Sequence, residues 1–259
     1  MKLGLVSDVH GNRVALDAVL ADGRRQGVER WWVLGDLVAI GPEPVATIER
    51  IVELPGVAVV SGNTERYVLT RDRPPPHRAD VARDPELLDL FAAVEGSFAW
   101  TRGALAQAGL LGWLVALAPE VRTTLPDGTR VLGVHAAPGR DDGPGITPDR
   151  PAPELAAELG GADADLVCAG HTHRPTDRRV GSIRAVNLGS VSNPITDDLR
   201  ASYVLVHADD RAHRVEHRWV SYDRDQFLRR LRRSGHPEQV YIASFQLGRQ
   251  SRHPSRPLG

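Results

Sequence analysis

Short apolar runs that each end in a polar block constrain the fold of this chain most strongly. Residues 3–6, 31–34 and 57–60 have the length and composition of buried strands, and helical patterns lie between them. This β-α-β-α-β order predicts a parallel sheet, and such sheets bind ligands beyond the carboxyl ends of their strands. The polar blocks stand at those ends, so we expect a functional site there.

The first helix is predicted between Asn12, a plausible N-cap, and Gly27, which follows the helix end. A second helix is predicted over residues 44–54. Residues 71–84 contain three consecutive prolines and many charges and are interpreted as an irregular loop, whereas residues 85–117 have helical apolar faces. Further strands are predicted at 121–125, 130–134, 166–169, 176–180, 183–187, 203–207 and 213–220, and further helices at 154–159 and 223–233.

We therefore expect one domain over residues 1–247, with a cap-like helical insert at 71–118 and a disordered polar tail at 248–259.

The amino-acid composition limits the classes of function that this protein can have. The 259 residues carry 32 basic and 33 acidic side chains, a formal net charge of −1, which argues against a strongly basic nucleic-acid binder. Cys168 is the only cysteine, so neither an intramolecular disulfide nor a cysteine-based zinc site can form. No signal peptide or membrane span is evident, and a soluble cytoplasmic protein is expected.

Metal-type ligands follow five of the predicted strands, and they are Asp8 and His10, Asp36, Asn63, His135, and His171 and His173. In an extended chain, residues i and i+2 point to the same side, so each Asp-x-His or His-x-His pair could converge on one volume. Oxygen and imidazole ligands without thiolate suit Mn²⁺, Fe, Co²⁺, Ni²⁺ or Zn²⁺. Seven ligands are too many for one tetrahedral zinc ion but suit two divalent ions that share a bridging ligand.

The charge of such a site favours catalysis on an anion. Two aspartates contribute −2 and two divalent cations +4, which leaves +2, or +1 with a bridging hydroxide. A site of this charge lowers the pKa of bound water and can hold a phosphoryl group for in-line attack.

In their joint order, five motif blocks resemble those of the calcineurin-like metallophosphoesterase superfamily. These blocks are Asp8-Val9-His10-Gly11-Asn12, Gly35-Asp36, Gly62-Asn63, His135 and Gly170-His171-Thr172-His173. The segment 187–192 resembles the small bacterial and archaeal phosphodiesterase branch of this superfamily. The resemblance implies an α/β fold, a four-layer α/β/β/α sandwich, and a catalytic centre that includes Asp36, Asn63 and His135. It also implies two metal sites that share Asp36: the first with Asp8, His10 and His173, the second with Asn63, His135 and His171.

One position departs from the superfamily pattern. Thr64 stands where most members have a histidine that helps to protonate the leaving group and to bind phosphate. General acid catalysis typically contributes about 10²- to 10⁴-fold, so hydrolysis should favour esters with good leaving groups unless another residue supplies the proton. The sequence thus predicts a dinuclear, metal-dependent phosphodiesterase or phosphatase with a small phosphoester substrate and no specific nucleic-acid partner.

Alternatives remain at this point. A retromer subunit resembles the same branch and acts through protein contacts, so a catalytically weak interaction scaffold is one alternative, and a nuclease of the superfamily is another. Monoester or diester preference, the native metal and the oligomeric state stay open.

Asn12 is interpreted equally as a helix cap or a phosphate contact, whereas Arg13 and Ser190 are interpreted as structural. Asparagine occurs only four times, at or beside these blocks: Asn12, Asn63, Asn187 and Asn193.

Overall fold

The structure is a computed structural model that describes residues 1–247. The predicted disordered tail at 248–259 lies outside the described residues. The strands are β1 (Lys2–Val6), β2 (Arg30–Leu34), β3 (Ala58–Val60), β4 (Glu120–Thr124), β5 (Arg130–Val134), β6 (Leu166–Ala169), β7 (Thr176–Val180), β8 (Ile183–Asn187), β9 (Ala201–Ala208) and β10 (His213–Val220). The α-helices are α1 (Arg13–Gln26), α2 (Pro44–Val52), α3 (Asn63–Leu69), α4 (Arg78–Arg83), α5 (Leu88–Gln107), α6 (Leu111–Val115), α7 (Ala152–Leu159), α8 (Arg224–Arg233) and α9 (Gln239–Ser244).

The strands form two mixed five-stranded sheets. The first sheet has the order β10-β9-β1-β2-β3, in which β1, β2 and β3 are parallel and β9 is antiparallel to β1. The second has the order β4-β5-β6-β8-β7, in which β5, β6 and β8 are parallel and β4 and β7 are antiparallel at the edges. The parallel strands of the first sheet are those predicted from the β-α-β-α-β order.

Three apolar clusters arrange the sheets and helices in four layers. One cluster lies between the sheets and includes Leu5, Trp32 and Cys168. A second packs α1, α2, α5 and α8 on the outer face of the first sheet, and a third packs α7 on the outer face of the second sheet. The predicted α/β/β/α sandwich is therefore confirmed. The interpretation of Cys168 as a core thiol is also confirmed, because its side chain is fully buried, and this burial raises the pKa of the thiol to about 12.

Helix α1 begins and ends as the sequence predicts. The Asn12 side chain accepts a hydrogen bond from the backbone N–H of Ala15, at 3.0 Å, and so satisfies one of the free N–H groups of the first turn. Gly27 ends the helix in the left-handed conformation that a residue with a Cβ adopts reluctantly, and its N–H bonds back to carbonyls of the last turn.

The insert differs in part from its prediction. Residues 71–84 are not wholly irregular, because α4 lies within them. Helix α5 buries Phe98 and Leu105 in the same cluster that packs α1 against the first sheet, so the insert contributes to the main core. Within residues 1–247, no helix combines the length and the hydropathy that crossing a bilayer requires.

Candidate metal centre

The carboxyl ends of parallel strands in both sheets meet at one edge of the sandwich, and every predicted ligand lies there. The first sheet places Asp8 and His10 after β1, Asp36 after β2 and Asn63 after β3. The second sheet places His135 after β5, and His171 and His173 after β6. Six of these side chains are buried, and His171 is partly exposed.

The backbone brings the ligands together in a way that differs from the extended geometry expected for the paired motifs. Positive φ angles of 47° to 68° occur at five of the seven residues, namely Asp8, His10, Asp36, His171 and His173. Residues with a Cβ seldom adopt this left-handed conformation, which is strained and clusters at functional sites. Asp8 and His10 do converge, but His171 and His173 separate into two different clusters. The family resemblance implies the same division, with His173 in the first metal site and His171 in the second.

The first cluster contains Asp8, His10, Asp36 and His173, whose ligand atoms all lie within 4.8 Å of one another. The Nε2 atoms of His10 and His173 are 3.3 Å apart, and His173 Nε2 lies 3.1 Å from Asp8 Oδ1. The other ring nitrogens face backbone carbonyls, Nδ1 of His10 at 3.1 Å from Ala39 O and Nδ1 of His173 at 2.7 Å from Asn193 O. Hydrogen bonds of this kind fix the orientation of the rings and direct both Nε2 atoms into the cluster.

The second cluster is organised around the Asn63 side chain. His135 Nε2 and His171 Nδ1 each lie 2.9 Å from Asn63 Oδ1. The opposite nitrogens again donate to carbonyls, Nδ1 of His135 to Leu34 O at 2.8 Å and Nε2 of His171 to Gly143 O at 2.9 Å. His135 Nε2, His171 Nδ1 and Asn63 Oδ1 thus converge on one small volume.

Asp36 joins the two clusters. Its Oδ2 lies 3.8 Å from His10 Nε2 in the first cluster, and its Oδ1 lies 3.2 Å from His135 Nε2 in the second. One carboxylate oxygen therefore faces each cluster, as a bridging ligand requires. Gly35, at φ +79°, allows the approach, because a Cβ there would lie 2.6 Å from His135 Nδ1.

Glu65, to which sequence reasoning gave no role, holds the loops that carry Asp36 and Asn63. Its buried carboxylate accepts hydrogen bonds of 2.8 to 2.9 Å from the backbone N–H groups of Asp36, Leu37 and Gly62. It occupies the third position of α3, three residues after the N-cap Gly62. This capping-box spacing was the available signal, but it was not recognised because α3 itself was not predicted.

Burial and mutual repulsion perturb the carboxyl groups of the centre. Burial, with the Asp8 charge as the next cause, raises the pKa of Asp36 to about 7. Burial, followed by the Asp36 charge, raises the pKa of Glu65 to about 7. Burial also opposes ionisation of Asp8, but the neighbouring His173 outweighs it, and the pKa of Asp8 falls well below its usual range. Closely spaced carboxylates of this kind favour a positive charge between them.

The donor set fits divalent cations. Burial, with a smaller effect of the His173 ring, lowers the pKa of His10 to about 3, so this imidazole stays neutral and keeps its lone pair. Imidazole nitrogens and carboxylate oxygens that converge in this way are stabilised by a shared cation. Asp8, His10, Asp36 and His173 would hold one ion, and the second cluster offers ligands of the same chemistry.

The other three asparagines, Asn12, Asn187 and Asn193, form hydrogen bonds to the loops that carry the ligands. Asn12 Nδ2 donates to Ser192 Oγ at 3.1 Å, and Ser192 Oγ donates to Asn193 Oδ1 at 2.9 Å. Asn193 in turn offers its carbonyl to His173. Asn187 Nδ2 donates to the carbonyl of Gly170 and to Thr172 Oγ1, and so fixes the loop between β6 and His173.

Several candidates prove to be structural. Arg13 pairs with Asp17 at 2.8 Å and donates to the Ala46 carbonyl, as its structural interpretation predicted. Ser190 Oγ donates to the Asp8 carbonyl and accepts from N–H groups of its own turn, which confirms the turn role. Asn12 acts as the helix cap, and His77 is exposed beside the Arg-rich surface near α4.

A second residue that sequence reasoning missed is Arg66, which follows Glu65 on α3. Its guanidinium forms ion pairs of 2.7 to 2.9 Å with Asp141, Asp142 and Asp72. Asp141 and Asp142 precede Gly143, whose carbonyl accepts the Nε2 hydrogen of His171. Arg66 thus ties α3 to the loop that orients His171.

A cavity of about 760 Å³ opens over both clusters. Its floor includes His10, Asp36, Asn63, His171 and His173, and Thr64 lies beside them. The walls come from the insert and from the segment around α9. The volume lies in the range of small-molecule sites.

A buried Asp/His cluster at the strand ends of a double-sheet sandwich defines a metal-binding phosphoesterase class. The sequence model of the calcineurin-like phosphoesterase superfamily domain matches residues 1–211, and the chain belongs to this superfamily. The prediction of this family and of a metal-dependent phosphoesterase is confirmed.

Relatives share the architecture along most of the chain. An uncharacterised protein of the archaeon Methanocaldococcus jannaschii is 27% identical over 238 residues, which cover 85% of this chain and 88% of that protein. The crystal structure of a metallophosphoesterase from Sphaerobacter thermophilus has a TM-score of 0.72 and 27% identity, with 96% and 99% of the two chains covered. The crystal structure of a hypothetical protein from Pyrococcus horikoshii OT3 has a TM-score of 0.77 and 20% identity, with 96% of this chain and 99% of that chain covered.

Proposed function

We propose that this protein is a dinuclear metal-dependent phosphoester hydrolase, either a phosphodiesterase or a phosphatase. The observation that carries the proposal is the position of Asp36, with one carboxylate oxygen facing each of two ligand clusters. Bound there, two divalent ions would supply a hydroxide nucleophile for in-line attack and would neutralise charge on the phosphoryl oxygens.

Each residue of the centre has a defined task in this proposal. Asp8, His10 and His173 hold the first ion together with Asp36, and Asn63, His135 and His171 hold the second. The four backbone carbonyls behind the imidazoles fix which nitrogen faces each ion. Asp36, Asn63 and His135 are the proposed catalytic set.

A protein-interaction scaffold on the same fold is the competing function. The residues of the centre argue against it, because all seven ligand positions are filled and five of them line one cavity. A protein that no longer binds metal would have no need to retain a buried pair of aspartates, which is costly unless it is neutralised.

The test is hydrolysis of bis-p-nitrophenyl phosphate by the metal-supplemented protein, with Mn²⁺, Ni²⁺ and Zn²⁺ tried separately. Asp36→Ala should abolish turnover because it removes a ligand of both ions, and His135→Ala should abolish it because the second cluster loses an imidazole. His213→Ala is the matched control, since His213 pairs with Asp127 far from the cavity. Full activity in Asp36→Ala or His135→Ala would refute the proposal.

A further inference from the structure

The cavity over the metal centre is polar on one side and apolar on the other. Opposite the ligands, its walls consist largely of apolar and aromatic side chains, and the larger ones are Ile40, Tyr67, Leu90, Phe98, Tyr241 and Phe245. Leu90 and Phe98 come from α5, and Tyr241 and Phe245 come from the C-terminal helical segment. Tyr67 packs edge to face on Phe98 with ring centroids 5.6 Å apart, and Tyr241 packs in the same way on Phe245 at 5.0 Å.

No arginine or lysine is among the described residues that line this cavity. Two arginines near the cavity are engaged in ion pairs, because Arg66 binds Asp141 and Asp142, and Arg73 binds Glu95 at 3.0 Å. Arg71 and Arg78 lie at the neighbouring surface and do not line the cavity. The acidic side chain of Asp142 lies at the cavity wall. Among the described residues that line the cavity, none other than the metal ligands would neutralise a second anionic group.

We propose that the substrate carries a single phosphoryl group and an uncharged aromatic substituent, which lies against the wall formed by Leu90, Phe98 and Phe245. This inference rests on the proposed function, since the metal centre places the phosphoryl group. The aromatic substituent of an aryl ester and the base of a nucleotide share this chemistry. Polyphosphates and phosphoproteins are disfavoured, because a distal phosphate or an acidic peptide would meet an apolar wall and Asp142.

The proposed aromatic substituent also agrees with the presence of threonine instead of histidine at position 64. A phenol leaves more readily than an alkyl alcohol, so an aryl ester needs less help from a general acid. Thr64 lines the same cavity, and an aryl ester would suit both its chemistry and the apolar surroundings.

The first experiment measures ligand affinity on the Mn²⁺-loaded protein by calorimetry, which does not depend on turnover. The probes are methylphosphonate, phenylphosphonate and 4-carboxyphenylphosphonate, all with the same metal-binding group. Burial of the ring should make phenylphosphonate bind about tenfold more tightly than methylphosphonate, whereas the distal carboxylate should cancel that gain. Equal affinity for the phenyl and methyl probes, or tighter binding of the carboxyphenyl probe, would overturn the proposal.

The second experiment changes the wall. Leu90→Arg should weaken phenylphosphonate binding and strengthen binding of the carboxyphenyl probe by about tenfold, which reverses the preference. Leu88→Arg adds the same charge two residues earlier on α5, where the side chain is 55% exposed and outside the cavity, and should change neither affinity. Leu90→Ala is a second variant that removes the contact without a charge, and it should lower only the phenyl affinity.

The two proposals fail in different ways. A Mn²⁺-loaded protein that prefers phenylphosphonate but hydrolyses no phosphoester would refute the hydrolase and leave the aromatic subsite. A protein that hydrolyses bis-p-nitrophenyl phosphate but whose probe affinities are unchanged in Leu90→Arg would refute the subsite and leave the hydrolase.

Discussion

Thr64 is the position at which this centre departs most clearly from the family pattern. Its backbone N–H donates to Asp36 Oδ1 at 3.0 Å, and its hydroxyl lies 3.5 Å from a carboxylate oxygen of Glu65. The main chain at this residue therefore stabilises the Asp36 carboxylate, while the side chain faces the cavity with a group that is a poor acid. Thr64 therefore keeps the backbone contact to Asp36 but lacks the imidazole that donates a proton in most members of the family.

Thr64→His should restore a proton donor. We expect hydrolysis of esters with poor leaving groups to rise by about tenfold or more, while p-nitrophenyl esters, whose leaving group needs no proton, change little. The measurement is the dependence of kcat/KM on leaving-group pKa, which should become shallower in the variant. Thr64→Gln, similar in size but not an acid, is the control, and an equally shallow dependence in that variant would contradict the explanation.

At this scale, the residues that meet in the centre were predictable and their backbone conformation was not. Asp8, Asp36 and His173 stand in recognisable blocks, and their residue types carry the chemistry. Their left-handed φ angles depend on contacts across the two sheets, such as the hydrogen bonds from Asp8 N to Gly35 O and from His10 N to Asp36 O. Local sequence does not contain those contacts.

Helix α5 is both a wall of the cavity and a part of the main core. Phe98 and Leu105 are 2% and 0% exposed and pack in the cluster that joins α1 to the first sheet. The predicted cap-like insert thus remains a proposal about specificity, but its deletion would also open the core. Point substitutions on the cavity side of α5 test specificity more cleanly than deletion.

Leu105→Ala should lower the free energy of unfolding by about 3 kcal/mol, because it leaves a cavity at a fully buried site. Unfolding in urea, followed by tryptophan fluorescence, should remain a single transition with an earlier midpoint. Leu88→Ala, on the exposed face at the start of the same helix, should change the free energy by less than about 0.5 kcal/mol. A negligible effect of Leu105→Ala, or a separate early transition, would indicate that α5 folds independently of the core.

Strands and long helices with strong local signals were predicted well, and short helices were not. The boundaries of β5, β6, β7, β8 and β10 agree with the prediction, and the caps of α1 are those expected. The seven-residue α3 and the six-residue α9 were missed, since neither is long enough to show helical periodicity. Both are held by tertiary contacts, α3 through Glu65 and α9 through the buried Tyr241 and Ile242.

At the scale of the whole molecule, the centre joins the two sheets. Asp8, His10, Asp36 and Asn63 belong to the loops of the first sheet, whereas His135, His171 and His173 belong to those of the second. The ligands of each proposed ion come from both sheets. A bound ion would therefore oppose separation of the sheets as well as take part in chemistry.

Metal binding should accordingly stabilise the fold. At a free Mn²⁺ concentration one hundred times the dissociation constant, one site contributes about 2.7 kcal/mol. For a chain of this size, that should raise Tm by roughly 5 °C or more, as measured by calorimetry with and without chelator. Asp36→Ala should lose most of this shift, and His213→Ala should keep it.

The metal-induced increase in Tm tests this prediction, whereas the Tm of the metal-free variant does not. Removal of Asp36 also removes its repulsion with the buried Asp8 carboxylate, so the metal-free Asp36→Ala protein need not be less stable. An undiminished shift in Asp36→Ala would show that the stabilising ion binds elsewhere.

The layered architecture was predictable because alternation of strands and helices, together with the family resemblance, leaves few topologies. The mixed character of the first sheet was harder to foresee. Strand β9 pairs antiparallel with β1 across about two hundred residues of sequence, and no local pattern encodes so distant a partner.

That pairing has a consequence for the order of events on the ribosome. All seven ligands have been synthesised once His173 is added, but β1, which leads into Asp8 and His10, lacks its neighbour β9 until residues 201–208 have emerged. The nascent chain must therefore keep its first strand unpaired on one side during most of translation. Acquisition of metal should be among the last steps of maturation, after the polypeptide has closed the first sheet.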